Sequence, residues 1–309
     1  GHPTSAGEYH LGMAETEATK QRRRRLPWYG RCVLYVLVIY FIYCGLLFFF
    51  QHKLIFPASA AGVASQAPLH RATEVIEVEA DEGTTVGWFI PAPAPGGSGS
   101  GGADDSPRPL VVFLHGNAEL IDHQLGMIAF YHAQGISVLL PEYRGYGNSE
   151  GSPSQKHIVA DVVAMYDETV ARPEVDAGRV IIHGRSIGGA IGAQLADQRP
   201  CVTVIVESTC TSVAGQSWRY GVPPFLVRSP FNTERVFRGL DVPILIMHGE
   251  YDKVFSYSHG EQLRDCSRDA TLVKFNAGHG LPTNTEIGLY EEVLTAHLVK
   301  AGVVGAGGE

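Results

Sequence analysis

Nineteen consecutive residues, "CVLYVLVIYFIYCGLLFFF" from Cys32 to Phe50, carry no charge and leave no polar stripe. A helix on the surface of a globular protein keeps one polar face, and a run of this length can cross the hydrocarbon core of a bilayer. The pattern therefore predicts a transmembrane helix over 32–50. Further on, "EVIEVEA" (74–80) and "TTVGWFI" (84–90) alternate apolar and polar positions around the turn residues "DEG", which predicts a β-hairpin. From Leu110 the alternation disappears. "LVVFLH" (110–115), "ISVLLP" (136–141), "RVIIHG" (179–184), "VTVIVES" (202–208) and "PILIMHG" (243–249) are short runs apolar at nearly every position, as strands buried on both faces are. Helical patterns lie between them near 120–134, 155–171, 187–198 and 256–266. "TLVKFN" (271–276) predicts a last strand, and "TEIGLYEEVLTAHLVK" (285–300) a closing amphipathic helix. Strands alternating with helices imply an α/β class with a mostly parallel sheet covered on both faces.

Charge refines this picture. The chain of 309 residues carries a formal charge of −8, yet residues 1–31 hold six Lys/Arg against three Asp/Glu, so the body is more acidic than the total. An acidic body argues against nucleic acid as a partner. The basic cluster Lys20, Arg22, Arg23, Arg24, Arg25 and Arg31 lies directly before the apolar run, and only Lys53 and Arg71 follow it closely. Flanking positive charge stays on the cytoplasmic side, so the expected topology is a single-pass protein with a cytoplasmic tail (1–31) and its body on the other side. A cleaved signal peptide is the rival, since "ASA" at 58–60 resembles a cleavage site. The length of the run and the intervening "QHKLIFP" favour an anchor. Residues 1–12, before Met13, read as an upstream extension or tag. "PAPAPGGSGSGGADDSPRP" (91–109) reads as a flexible surface loop, because the hairpin upstream could not stand as a domain by itself. The five cysteines form no CxxC, which suits neither a zinc site nor a disulfide framework; one pair among Cys201, Cys210 and Cys266 stays open.

Two stretches match Gly-x-Ser-x-Gly: "GRSIG" around Ser186 and "GNSEG" around Ser149. A nucleophilic serine of this type sits on a sharp turn between a strand and a helix. Ser186 follows "RVIIH" and precedes "IGGAIGAQLA", with Gly184 and Gly188 giving room for the turn. Ser149 lies in a loop whose next helix is delayed by Pro153, so Ser186 is the candidate. Its partners should follow in the order acid, then His. Asp252, in the loop after strand 243–248, is the candidate acid, and Glu207 at the end of the preceding strand is the alternative. His279, in "NAGHGLP", is the candidate base; His259 and His297 fall on helices and are expected to cover surfaces. An oxyanion needs two fixed N–H donors, expected from Ile187 and, in the loop "LHGNAE", from Asn117. His115 in that loop is expected to brace it.

Taken together, "HGNA", "YRGYGNSEG", "GRSIGG", "HGEYD" and "GHG" over about residues 70–300 resemble the membrane-anchored α/β-hydrolase-domain serine hydrolases, close to the serine aminopeptidase-like hydrolases. The resemblance implies the α/β-hydrolase fold over 70–301, a short lid insert at 209–238, an N-terminal anchor, and an acyl hydrolase without cofactor; a metal hydrolase is disfavoured because no HExxH or equivalent ligand spacing appears. It departs from the pattern at the insert 91–109 and at Glu142, where Asp is usual. Trp218, Tyr220, Val222, Phe225, Leu226, Phe231 and Phe237 make the lid apolar and suit a small-molecule or lipid-like ester, although they could equally pack on the core. The alternatives are an amide, peptide or thioester hydrolase, and a catalytically silent membrane scaffold.

Overall fold

The computed structural model describes residues 26–62, 73–93, 106–281 and 286–305. Residues 20–25 of the basic tail, and 94–105 of the glycine-rich loop, lie outside that set. The chain divides into two compact units, Gly1–Tyr43 and Cys44–Glu309. In the first, the described residues from Cys32 to Tyr43 expose every side chain. They begin α1, Trp28–Ile55, one helix of 28 residues and about 42 Å at 1.5 Å per residue. It is long and apolar enough to cross a membrane. Pro27 precedes it, where a missing N–H costs nothing, and Pro57 prevents it from continuing. The helix therefore extends five residues past the apolar run, through "QHKLI".

The second unit holds one eight-stranded sheet. Its strands are β1 (Glu74–Ala80), β2 (Gly83–Ile90), β3 (Arg108–Leu114), β4 (Ser137–Pro141), β5 (Val175–Arg185), β6 (Thr203–Glu207), β7 (Ile244–Gly249) and β8 (Ala270–Phe275). They lie in the order β1-β2-β4-β3-β5-β6-β7-β8. The β1–β2 hairpin pairs antiparallel and joins β4 antiparallel; every other pairing is parallel. The helices that follow α1 are α2 (Leu125–Ala133), α3 (Gln155–Val170), α4 (Ile187–Ala196), α5 (Val213–Gln216), α6 (Thr233–Phe237), α7 (Ser258–Cys266) and α8 (Ile287–Lys300).

Both faces of the sheet are packed, which is why its strands lack alternation. Leu110, Val112, Ile182, Val204 and Ile246 pack on one face with residues of α3, α4, α6 and α7. Their odd-numbered neighbours Val111, Phe113, Ile181, Ile205 and Leu245 pack on the other with α2 and α8. Phe56 and Ala61, just beyond α1, belong to the first of these cores. Fully burying an aromatic ring of this size stabilises by roughly 2–3 kcal/mol, so the end of α1 is an integral part of the body.

Two histidines behave differently from expectation. His297 on α8 is buried, with Nε2 2.7 Å from Thr203 Oγ1, because α8 turns that face to the sheet. His259 on α7 is half-buried and bonds Gln216 through Nε2 (2.8 Å), tying α7 to the insert after β6. All five cysteines are free, so the possible pair among Cys201, Cys210 and Cys266 is absent.

Candidate active site

The carboxyl ends of β3, β5, β6, β7 and β8 all open onto one edge of the sheet, the edge at which α/β folds bind ligands. Ser186 stands between β5 and α4 with φ 55° and ψ −119°, a conformation L-residues rarely adopt. The glycines around it explain how the turn closes. A Cβ on Gly184 would sit 2.3 Å from the Gly188 carbonyl oxygen, and one on Gly188 would sit 2.0 Å from that of Leu114. No side chain fits either place. Ser186 N–H donates to the Glu207 carbonyl (2.8 Å) and Thr209 Oγ1 donates to the Ser186 carbonyl (2.8 Å), so the strained residue is held from both sides.

Ser186 Oγ lies 2.9 Å from His279 Nε2, and His279 Nδ1 lies 2.8 Å from Asp252 Oδ2. These three side chains come from the ends of three different strands and form one hydrogen-bonded line. Asp252 also organises its own loop. Its Oδ1 accepts the N–H groups of Val254 (2.8 Å) and Phe255 (2.9 Å). Burial alone would raise the Asp252 pKa, but hydrogen bonds from His248 and His279 outweigh it and hold the carboxyl well below the usual range. The Phe255 ring meets the His279 ring edge-on at 5.5 Å, a contact nothing in the sequence pattern signalled.

Glu207, the alternative acid, is committed elsewhere. It is fully buried, with Arg185 Nε at 2.9 Å, His183 Nε2 at 2.7 Å and the Tyr290 hydroxyl at 2.5 Å. Burial would raise its pKa, yet the Arg185 charge and the His183 contact bring it down to about 2. Arg185 continues to Glu119 (3.2 Å), whose other oxygen accepts the Gly116 N–H (3.2 Å). Glu207 thus anchors a network that props the loop after β3.

That loop borders the serine: a Cβ on Gly116 would lie 3.7 Å from Ser186 Cβ. Asn117 accepts a long bond from the Tyr146 hydroxyl (3.5 Å) through Oδ1. Ile187 opens α4, so its N–H has no acceptor within the helix. His115 is buried under the loop, Nδ1 2.9 Å from the Gly116 carbonyl and Nε2 2.9 Å from Glu142 Oε1. Burial would lower its pKa, but the Glu142 carboxylate raises it on balance. Glu142 in place of Asp is therefore part of a buried pair that braces the loop. Ser149 is likewise buried, accepting Val86 N–H and donating to the Glu142 carbonyl, away from Ser186.

A cavity of about 420 Å³ adjoins Asn117 and Ile187 and is lined almost entirely by apolar groups. The insert contributes Tyr220, Val222 and Leu226 to it. Phe231 and Phe237 instead pack in the core, and Trp218 and Phe225 are exposed away from its lining. Only part of the apolar insert therefore faces the site. Among the described residues no group of His, Cys, Asp and Glu is arranged to hold a metal ion.

The model of the serine aminopeptidase S33 family matches residues 105–231, which include Asn117, Ser186 and Ile187. The α/β-hydrolase domain-containing protein WAV2 of Arabidopsis thaliana is 29% identical over 287 residues, covering 81% of this chain and 90% of its own. An uncharacterized protein of Mycobacterium tuberculosis is 27% identical, covering 89% of this chain and 98% of its own. Among solved structures, an α/β hydrolase from Vibrio vulnificus superposes with TM-score 0.62 at 21% identity, over 80% of this chain and 92% of that one. Esterase 2 of Thermogutta terrifontis superposes with TM-score 0.60 at 17% identity, over 80% and 98%.

Proposed function

We propose, from the α/β-hydrolase fold that this chain shares with its solved neighbours, that it is a membrane-anchored serine hydrolase cleaving ester bonds through an acyl-enzyme. The observation that carries the reading is the line Ser186–His279–Asp252, closed by two hydrogen bonds. His279 Nε2 takes the Ser186 proton as Oγ attacks the ester carbonyl, and Asp252 stabilises the imidazolium that results. The Ile187 and Asn117 backbone N–H groups hold the oxyanion. His279 then returns the proton to the leaving alcohol, and water, deprotonated by the same imidazole, releases the acid and restores Ser186.

The apolar cavity favours an ester with a hydrocarbon acyl group, and the fold neighbours from Thermogutta terrifontis and Pyrococcus furiosus are described as esterases. The name of the matching family points to a second reading, a peptide or amide substrate. A fluorophosphonate probe should label the purified chain. Against a panel of p-nitrophenyl esters and aminoacyl p-nitroanilides, ester turnover is expected to exceed amide turnover by at least 100-fold. Preferential anilide cleavage would support the peptidase instead, and no labelling at all would leave the silent scaffold.

The anchor reading rests on α1 and on the basic residues Lys20 to Arg31 before it. Cleavage after Ala60 would strip Phe56 from the core, which speaks against a cleaved signal peptide. With the basic flank cytoplasmic, the catalytic line faces the other side. Protease added to intact cells or spheroplasts is expected to degrade the 70–301 domain. Protection until lysis would reverse the orientation.

A further inference from the structure

One wall of the apolar cavity is made by α1 itself. Leu47, Phe48, Gln51, Leu54 and Ile55 all line it, a spacing that puts them on one face of the helix. The same face is clamped to the insert. Gln51, a buried amide, donates through Nε2 to the Leu226 carbonyl (3.1 Å) and accepts the Arg228 N–H through Oε1 (2.6 Å). His52 Nε2 lies 3.3 Å from Ser229 Oγ, and the Phe56 ring stands 6.1 Å from that of Phe231. These bonds use up the amide's polar atoms, so the wall presented to a ligand is hydrocarbon. The opposite side of the helix, at Leu46, Phe49 and Phe50, is exposed and apolar.

Twenty residues suffice for a bilayer core of about 30 Å, and α1 has 28. The helix is therefore about eight residues longer than a span requires. A cavity of about 420 Å³ lies within the range of ligand pockets and has room for a hydrocarbon chain.

We infer that the C-terminal part of α1 belongs to the substrate site: its residues Leu47 to Ile55 form the acyl-chain wall, and the enzyme takes esters with a long acyl chain. This inference rests on the serine-hydrolase reading. The full chain in detergent micelles provides the test, with p-nitrophenyl esters from acetate to palmitate and rates normalised to the fraction of protein labelled by a short fluorophosphonate. In the wild type, kcat/KM should climb by up to about four-fold per methylene until the cavity is filled. Leu47→Trp narrows the cavity and should move the preferred chain to shorter esters, cutting the dodecanoate-to-acetate ratio by roughly ten-fold. Phe48→Ala widens it and should move the preference to longer ones. Damage to packing alone would scale every ester equally in both variants. Unchanged chain-length ratios in both variants, with the wild type labelled and active, would overturn the role of the helix and leave the hydrolase intact. A wild type that neither labels nor cleaves any ester would overturn both.

Discussion

Ser186→Ala is expected to lower ester turnover by about 10⁶-fold, the size of loss seen when the nucleophile of a cooperating line is removed. The residue at 186 keeps its backbone bonds to Glu207 and Thr209, so the elbow should hold its shape, and only the bond to His279 is lost. The residue is 9% exposed and its side chain is small, so truncation opens little cavity. Melting temperature and circular dichroism should stay close to wild type. Steady-state kinetics with p-nitrophenyl butyrate and covalent probe labelling measure the loss. Labelling of the alanine variant would transfer the nucleophile to another residue.

Asp252→Asn should cost about 10⁴-fold in kcat, because an amide cannot replace both carboxylate oxygens. The Asn oxygen can keep the N–H groups of Val254 and Phe255, and its NH₂ then faces His279 Nδ1. That arrangement selects the imidazole tautomer with its proton on Nε2, which cannot accept one from Ser186. Glu207→Gln should separate from it cleanly. Glu207 does not touch His279, so turnover per folded molecule should change little, while loss of a buried charge paired with Arg185 costs on the order of 3 kcal/mol and about 10 °C in melting temperature. The Glu207 pKa is depressed in the fold, from 4.5 to about 2, so its contribution to stability is present above pH 4.5 and fades as pH falls toward 2. The gap between wild type and Glu207→Gln should therefore close in that acid range, as thermal melts at pH 2, 4 and 7 would record. If Glu207→Gln lost turnover and Asp252→Asn did not, the acid role would pass to Glu207.

What the sequence carried by itself were the local terms. Strands packed on both faces contain apolar residues at every position, so β3 to β7 could be read from single runs, and the bounds moved by only a few residues at most ends. The extra turns of α1 beyond Phe50 were the main difference, because charge and amide groups do not end a helix and Pro57 does. Ser186 was distinguishable from Ser149 because the strand, the turn and the helix around it are contiguous in the chain. Asp252 and His279 were legible as positions in loops after strands. Their meeting within 2.8 Å depends on the parallel register of β7 and β8.

Tertiary structure decided whatever pairs residues far apart in the chain. Glu207 and Asp252 both follow strands and look alike in sequence; packing gave one to Arg185, His183 and Tyr290 and the other to His279. Phe231 and Phe237 look as suitable for a lid as Tyr220 does, yet they are buried, because hydrophobicity alone does not say which apolar surface a side chain will cover. Gln51 reads as the polar end of a membrane segment. Its bonds reach residues 226 and 228, more than 170 positions away, and only the folded chain brings those carbonyl and amide groups to it. Periodicity is a property of neighbours along the chain, whereas a binding site is a property of neighbours in space.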